Sequence, residues 1–139
     1  YCHHPTEIRA TLSAARLRNP ARLWGIFQPH RYTRTAHLMD EFAGCFAGCD
    51  RLSVLDIYPA SESPIPGITA ESLVERIRKE GIESVHHAPD SSLLIEQIVQ
   101  EAQPGDLILT MGAGSVTNLA GELARALEAA LAARQVTQP

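Results

Sequence analysis

The sequence predicts an α/β fold, a mostly parallel sheet with helices on both faces. Three observations carry that prediction. Short apolar runs recur along the chain, segments with apolar residues at three- and four-residue spacing lie between them, and Pro, Gly and polar residues mark the joints. Strands that alternate with helices form βαβ units, which lie parallel in one sheet. With 139 residues, 45% of them hydrophobic, the chain fits a single domain over 1–139 with a true core.

The elements follow in order. Pro5 suits a first helical position, and Ile8, Leu12 and Ala15 share one face, so a helix runs from Pro5 toward Asn19-Pro20. Leu23 to Phe27 is short and wholly apolar, as a strand buried on both faces requires. Leu38, Phe42, Cys45, Phe46 and Cys49 line one face of a helix expected over 35–49. Leu52 to Tyr58 reads as the second strand, with Asp56 a polar residue on buried backbone that needs a partner. Three prolines and a glycine make 59–68 a loop. Thr69 caps a helix carrying Leu73, Val74 and Ile77, and Gly81 stops it. Val85 marks a short strand whose His86 and His87 read as a satisfied strand end. Asp90 caps a helix with Leu94, Ile95 and Ile98. Leu107 to Thr110 is the last clear strand, and Leu119, Leu123 and Leu127 define a long final helix.

Composition removes several function classes. Net charge is −4 with acidic and basic residues interleaved, which argues against a nucleic-acid-binding face. No run approaches the roughly 18 apolar residues of a membrane span, and no signal peptide is visible. Cys2, Cys45 and Cys49 have neither redox nor metal-ligand spacing; Cys45 and Cys49 sit among phenylalanines as core residues, and thiols of this kind fit a cytoplasmic setting. The chain opens without Met, directly on a helix-start signal, and reads as a piece of something longer.

In open parallel sheets ligands bind beyond the carboxyl ends of the strands. Three loops are expected there, 28–34, 58–68 and 111–115, joined by the opening 1–6 segment as the lead-in to the first helix after a preceding strand. In the first of them, Phe27-Gln28-Pro29-His30-Arg31-Tyr32-Thr33-Arg34, two arginines stand where a strand ends and a helix begins. A cation at a helix amino end is unfavourable by roughly 0.3–1 kcal/mol, so a bound anion is the simplest offset. Guanidinium forks also suit carboxylate or phosphate. The alternative is pairing of these arginines with Asp40 or Glu41.

Tyr1-Cys2-His3-His4-Pro5-Thr6-Glu7 places an aromatic and two imidazoles before a helix, suited to a nucleotide or small anion or simply to capping. A metal is not expected, since adjacent histidines diverge and lack acidic or thiol partners at helical spacing. Met111-Gly112-Ala113-Gly114-Ser115 suits either a backbone nest near phosphate or a tight turn that needs glycine.

Together these motifs resemble the carboxyl-terminal domain of the Mur ligases. The resemblance covers essentially the whole chain, keeps its motifs in order, and includes Asp56-Ile57-Tyr58-Pro59-Ala60, Pro64-Ile65-Pro66-Gly67, Pro104-Gly105-Asp106-Leu107 and Gly112-Ala113-Gly114. It implies a Rossmann-like domain that closes over a central ATPase domain in a three-domain ligase of bacterial peptidoglycan synthesis. The arginine-bearing motif implies the branch that adds L-alanine to UDP-N-acetylmuramate: ATP phosphorylates the muramate carboxylate, and the alanine amine attacks the acyl phosphate.

By motif, Arg31 and Arg34 are then the clamp for the alanine carboxylate, Tyr1 and His3 line the alanine and ATP side, and His30, Gly112 and Gly114 are loop contacts. ATP and Mg²⁺ would be held mainly by the central domain, and a fragment lacking it is expected to be inactive. The chain departs from the family at Cys2, where Gly is usual. A related ligase that adds a peptide and a non-catalytic nucleotide- or anion-binding module are the alternatives.

Overall fold

The computed structural model describes residues 2–137. Ten elements follow in order: α1 (Pro5–Arg16), β1 (Leu23–Gln28), α2 (Tyr32–His37), α3 (Met39–Ala43), β2 (Arg51–Val54), α4 (Ala70–Lys79), β3 (Val85–His87), α5 (Ser91–Glu101), β4 (Leu107–Gly112) and α6 (Val116–Thr137). The four strands form one sheet in the order β3-β2-β1-β4, and every pairing is parallel. No helix among the described residues is long and apolar enough to cross a membrane.

β1 is central, and all six of its residues are buried. Its side chains alternate between two cores, as strand geometry requires. Leu23 and Phe27 join Ile8 and Leu12 of α1, Phe42 of α3 and Leu73 and Ile77 of α4 on one face. Trp24 and Ile26 join Leu94 and Ile98 of α5 and Leu119 and Leu123 of α6 on the other. The sheet is thus covered on both faces, the condition for an all-parallel sheet.

Two expectations fail. The helix expected over 35–49 starts three residues earlier and is broken. Leu38, at φ −109° and ψ 18°, ends α2 and begins α3, and α3 stops at Gly44. Residues 44–50 then form a turn held beneath α1, where Arg16 Nε donates to the Gly48 carbonyl at 3.0 Å and pairs with Asp50 at 2.8 Å. Cys45, Phe46 and Cys49 are buried as expected, but by that turn and not by a helical face. Glycines at 44 and 48 make helix costly there, and the turn satisfies the same apolar spacing. The second expected strand also ends early, at Val54. Leu55 turns into the second core and Asp56 is left exposed, so Asp56 is not a polar residue on a buried strand. One bridge, His30 to Tyr58, resumes parallel pairing past the ladder.

The amino edge of the sheet is an electrostatic anchor. Arg22 grips Asp106 through Nε at 3.1 Å and Nη2 at 2.7 Å, and Nη2 also donates to the Glu101 carbonyl. Arg51 pairs with Glu101, and both guanidinium groups flank the Trp24 ring, at 5.0 and 4.6 Å.

Candidate functional site

At the carboxyl edge the expected loops converge, and Gln28 is the reason. It is the last residue of β1, 5% exposed, in a position where an apolar residue would have ended the run. Its Oε1 accepts from the Val116 backbone N–H at 2.9 Å and the Ser115 hydroxyl at 3.1 Å, and its Nε2 donates to the Asp56 carbonyl at 3.3 Å. One amide therefore ties the ends of β1 and β4 and the loop after β2 together, and it serves the first N–H of α6, which the helix cannot satisfy itself.

Gly112 and Gly114 complete the join. A Cβ on Gly112 would stand 2.2 Å from the Gln28 carbonyl oxygen, and one on Gly114 would stand 2.6 Å from Tyr58 Cγ. Their φ angles, 112° and 102°, also exclude other residues without strain. Close packing explains both glycines, as the tight-turn reading requires.

Beyond Gln28 the chain is stitched to the loop 56–68. Tyr58 N–H donates to the Pro29 carbonyl and Arg31 N–H donates to the Tyr58 carbonyl, each at 2.8 Å. The Tyr58 ring lies stacked on His30, with centroids 5.6 Å apart and planes 8° apart. Thr33 donates its N–H to Glu62 Oε1 at 3.0 Å and its hydroxyl to Oε2 at 2.6 Å. These two bonds hold the Glu62 carboxyl below the usual carboxylate range. Glu62 thus places a negative charge of the protein itself at the amino end of the arginine-bearing helix, where the sequence points to a bound anion.

Arg31 and Arg34 sit on and beside α2, one exposed and one half-buried, and neither forms an ion pair among the described residues. The expected alternative partner Asp40 is engaged by Arg76. Arg34 Nη1 lies 3.2 Å from His30 Nδ1. A guanidinium only donates, so Nδ1 accepts and the ring proton sits on Nε2. Burial first, then the charges of Arg34, Arg31 and His3, push the His30 imidazole below its ordinary value. His3 is among the charges that act on His30; Tyr1 lies outside the described residues.

The backbone at Arg31 is strained. Its φ of 72° with ψ of 140° is a region that only glycine enters freely, and a non-glycine residue there costs about 1–3 kcal/mol. Thr35 secures it, with N–H and Oγ1 both donating to the Arg31 carbonyl. Ala60 and Ser61, the central residues of the turn closed by Glu62 N–H on the Pro59 carbonyl, also have positive φ.

The remaining candidates resolve as packing or local pairing. His4 caps α1, its Nδ1 accepting from Thr6 N–H at 3.3 Å. His87 Nε2 pairs with Asp56 at 2.6 Å and Nδ1 faces Glu71 at 3.5 Å, a satisfied strand end, while His86 is exposed. Burial raises the Cys45 and Cys49 thiols to about 12, as core residues and not nucleophiles. Cys2, half-buried, lies 3.4 Å from Thr11 Oγ1, and burial raises its thiol too. No group of three His, Cys, Asp or Glu among the described residues fits a metal ion. Sequence reasoning passed over Gln28, Glu62 and Tyr58 as individual residues. The one available signal was Gln28, a polar residue closing an apolar run.

The family model "Mur ligase, glutamate ligase domain" matches residues 1–114. A UDP-N-acetylmuramate–L-alanine ligase of Solibacter usitatus is 59% identical over 116 residues, 84% of this chain and 25% of the relative. Its counterpart in Acidobacterium capsulatum is 50% identical over 133 residues, 96% of this chain and 28% of the relative. The chain thus spans about a quarter of the length of these curated relatives. The crystal structure of a murein peptide ligase from Psychrobacter arcticus superposes with a TM-score of 0.69 at 25% identity, over 91% of this chain and 26% of that one.

Proposed function

The chain belongs to the Mur ligase family, and from that premise we propose that it is the carboxyl-terminal, substrate-closing domain of a three-domain bacterial cytoplasmic ligase that joins L-alanine to UDP-N-acetylmuramate. In this reading Arg31 and Arg34 hold the alanine carboxylate, with His3 and Tyr1 beside them and His30 fixing Arg34. The observation that carries it is the pair of arginines at the carboxyl edge, one at the N-cap of α2 and one in its first turn, without an ion-pair partner among the described residues.

The reaction has two steps. ATP transfers its γ-phosphoryl group to the muramate carboxylate, giving an acyl phosphate and ADP. The alanine amine then attacks the acyl carbon, the C–N bond forms, and phosphate leaves. Both the ATP-binding machinery and Mg²⁺ belong to the central domain in this reading. In this reading the domain's own contribution runs through its side chains. By holding the carboxylate, the clamp brings a dilute amine to the acyl phosphate in a fixed orientation. Converting a bimolecular encounter into an effectively unimolecular one removes several kcal/mol of barrier. Neutral His30 suits that task, because a protonated ring would repel Arg34.

In the full-length ligase, Arg31→Ala and Arg34→Ala should each cost about 1.5–3 kcal/mol of alanine binding, a roughly 10- to 150-fold rise in KM for L-alanine. KM for ATP and UDP-N-acetylmuramate should stay near wild type. Wild-type alanine dependence in both variants removes the clamp. The likeness to a murein peptide ligase supports a second reading, that the ligase adds a peptide. Turnover with an alanine-initiated peptide but not with L-alanine selects it.

A further inference from the structure

We propose that Glu62 is a positioning residue for Arg31: by receiving both donors of Thr33 it sets the direction of Arg31, and with it the affinity for the amino-acid carboxylate. The inference rests on the alanine-clamp reading above.

Glu62 is not where sequence alone would put a helix partner. It lies 29 positions beyond Thr33, in the loop after β2, yet both of its oxygens are used at the first turn of α2. The 2.6 Å contact from the Thr33 hydroxyl has the length of a charge-assisted bond. It is the last rung of a ladder between two segments, with Tyr58 N–H on Pro29, Arg31 N–H on Tyr58, and Thr33 on Glu62. Arg31 stands between the last two rungs, in a backbone conformation of φ 72° and ψ 140°. The loop delivers Glu62 through the turn 59–62, whose central residues Ala60 and Ser61 are both held at positive φ. Disfavoured backbone on both sides of one contact is the pattern expected of a geometry held for use.

A second feature gives the proposal a sign that can fail. Glu62 is negative and close enough to Arg31 for its charge to be felt, so by charge alone it competes with a substrate carboxylate. Simple competition predicts that removing it tightens alanine binding. Positioning predicts the reverse.

The experiment is steady-state kinetics of the full-length ligase with Glu62→Ala, Glu62→Gln, Arg31→Ala and the double variant, alongside thermal unfolding of each. Glu62→Ala should raise KM for L-alanine about tenfold, the worth of one lost charged hydrogen bond, with KM for ATP within about twofold. Glu62→Gln keeps an oxygen for Thr33 N–H and should raise it by no more than about threefold. Adding Glu62→Ala to Arg31→Ala should cost little more, because the two act through one group. A lower or unchanged alanine KM, an equal loss for every substrate, or full additivity with Arg31→Ala overturns the proposal. Should Glu62→Ala fail to fold, Thr33→Val, which deletes only the hydroxyl donor, tests the same selective rise. A silent Arg31→Ala indicts the alanine reading, whereas an Arg31→Ala with the expected rise in alanine KM beside a silent Glu62→Ala indicts this inference alone.

Discussion

Replacing Gln28 by Leu tests the claim that one amide organises the rim. The substitution keeps roughly the volume and removes three hydrogen bonds. They are not equal. The Val116 N–H is buried and has no partner within its own helix, so it bears the cost of an unsatisfied buried donor, about 1–3 kcal/mol. The Ser115 hydroxyl is only partly buried and can rotate toward water, and the Asp56 bond is long at 3.3 Å, so together they add about 1 kcal/mol. A more apolar side chain in a site 5% exposed returns about 1 kcal/mol. The net loss is about 2 kcal/mol, or about 6 °C in Tm for a chain of this size. Urea unfolding of the chain, followed by circular dichroism, reads the free energy, and amide hydrogen exchange reads the site. The Val116 amide should lose protection before the rest of α6. A loss below about 0.5 kcal/mol, well under the cost of one unsatisfied buried donor, or unchanged exchange at Val116 would refute the reasoning.

Two further predictions concern strain and charge at the same rim. Arg31→Gly removes a disfavoured φ/ψ at the cost of glycine's larger unfolded-state entropy, so the chain should gain up to about 1 kcal/mol in stability while the full-length ligase loses alanine affinity; destabilisation in the urea experiment contradicts the strain assignment. His30 should titrate below 6.5 when followed by its ring-proton NMR signals, and Arg34→Met should move the midpoint upward. The unfolded chain takes up the His30 proton near pH 6.5 and the folded chain only at lower pH. Stability is therefore full above 6.5 and falls as pH drops from 6.5 through the folded value, after which no more is lost. A midpoint at or above 6.5 would contradict the Arg34–His30 geometry.

The parallel sheet was legible because its signals are local. Apolar runs, caps such as Thr69 and Asp90, and stops such as Gly81 act within a few residues of where they stand, and the structure uses each of them. The expected helix over 35–49 went wrong for a related reason. Periodicity reports which side chains are buried, and a two-part helix followed by a turn buries the same Phe42, Cys45, Phe46 and Cys49. Only the cost of Gly44 and Gly48 distinguished the two, and spacing does not weigh it. The site divides in the same way. The arginine motif is contiguous and could be read directly, though the sequence pointed to a bound anion as the offset and not to a negative partner within the chain. The identity of one such partner could not be read, because Glu62 reaches Thr33 only after β2 and a strained turn have folded.

This division follows the sheet's two edges. The amino edge carries Arg22, Trp24, Arg51, Glu101 and Asp106 in mutually satisfying contacts, with Asp106 3% exposed in its side chain and its carboxyl held low by the Arg22 guanidinium. The carboxyl edge carries the positive-φ residues Arg31, Ala60 and Ser61, and arginines without ion partners among the described residues. A chain optimised only for stability would have relaxed the second edge, since glycine at 31 or a longer turn after Pro59 is available at small cost. Retaining strain beside two cations makes sense if their direction matters more than the energy lost in fixing it. The central strand connects the two regimes. β1 begins against the anchor at Arg22 and ends at Gln28, so the packed core transmits a fixed position to the rim without any element of the rim having to be stable by itself.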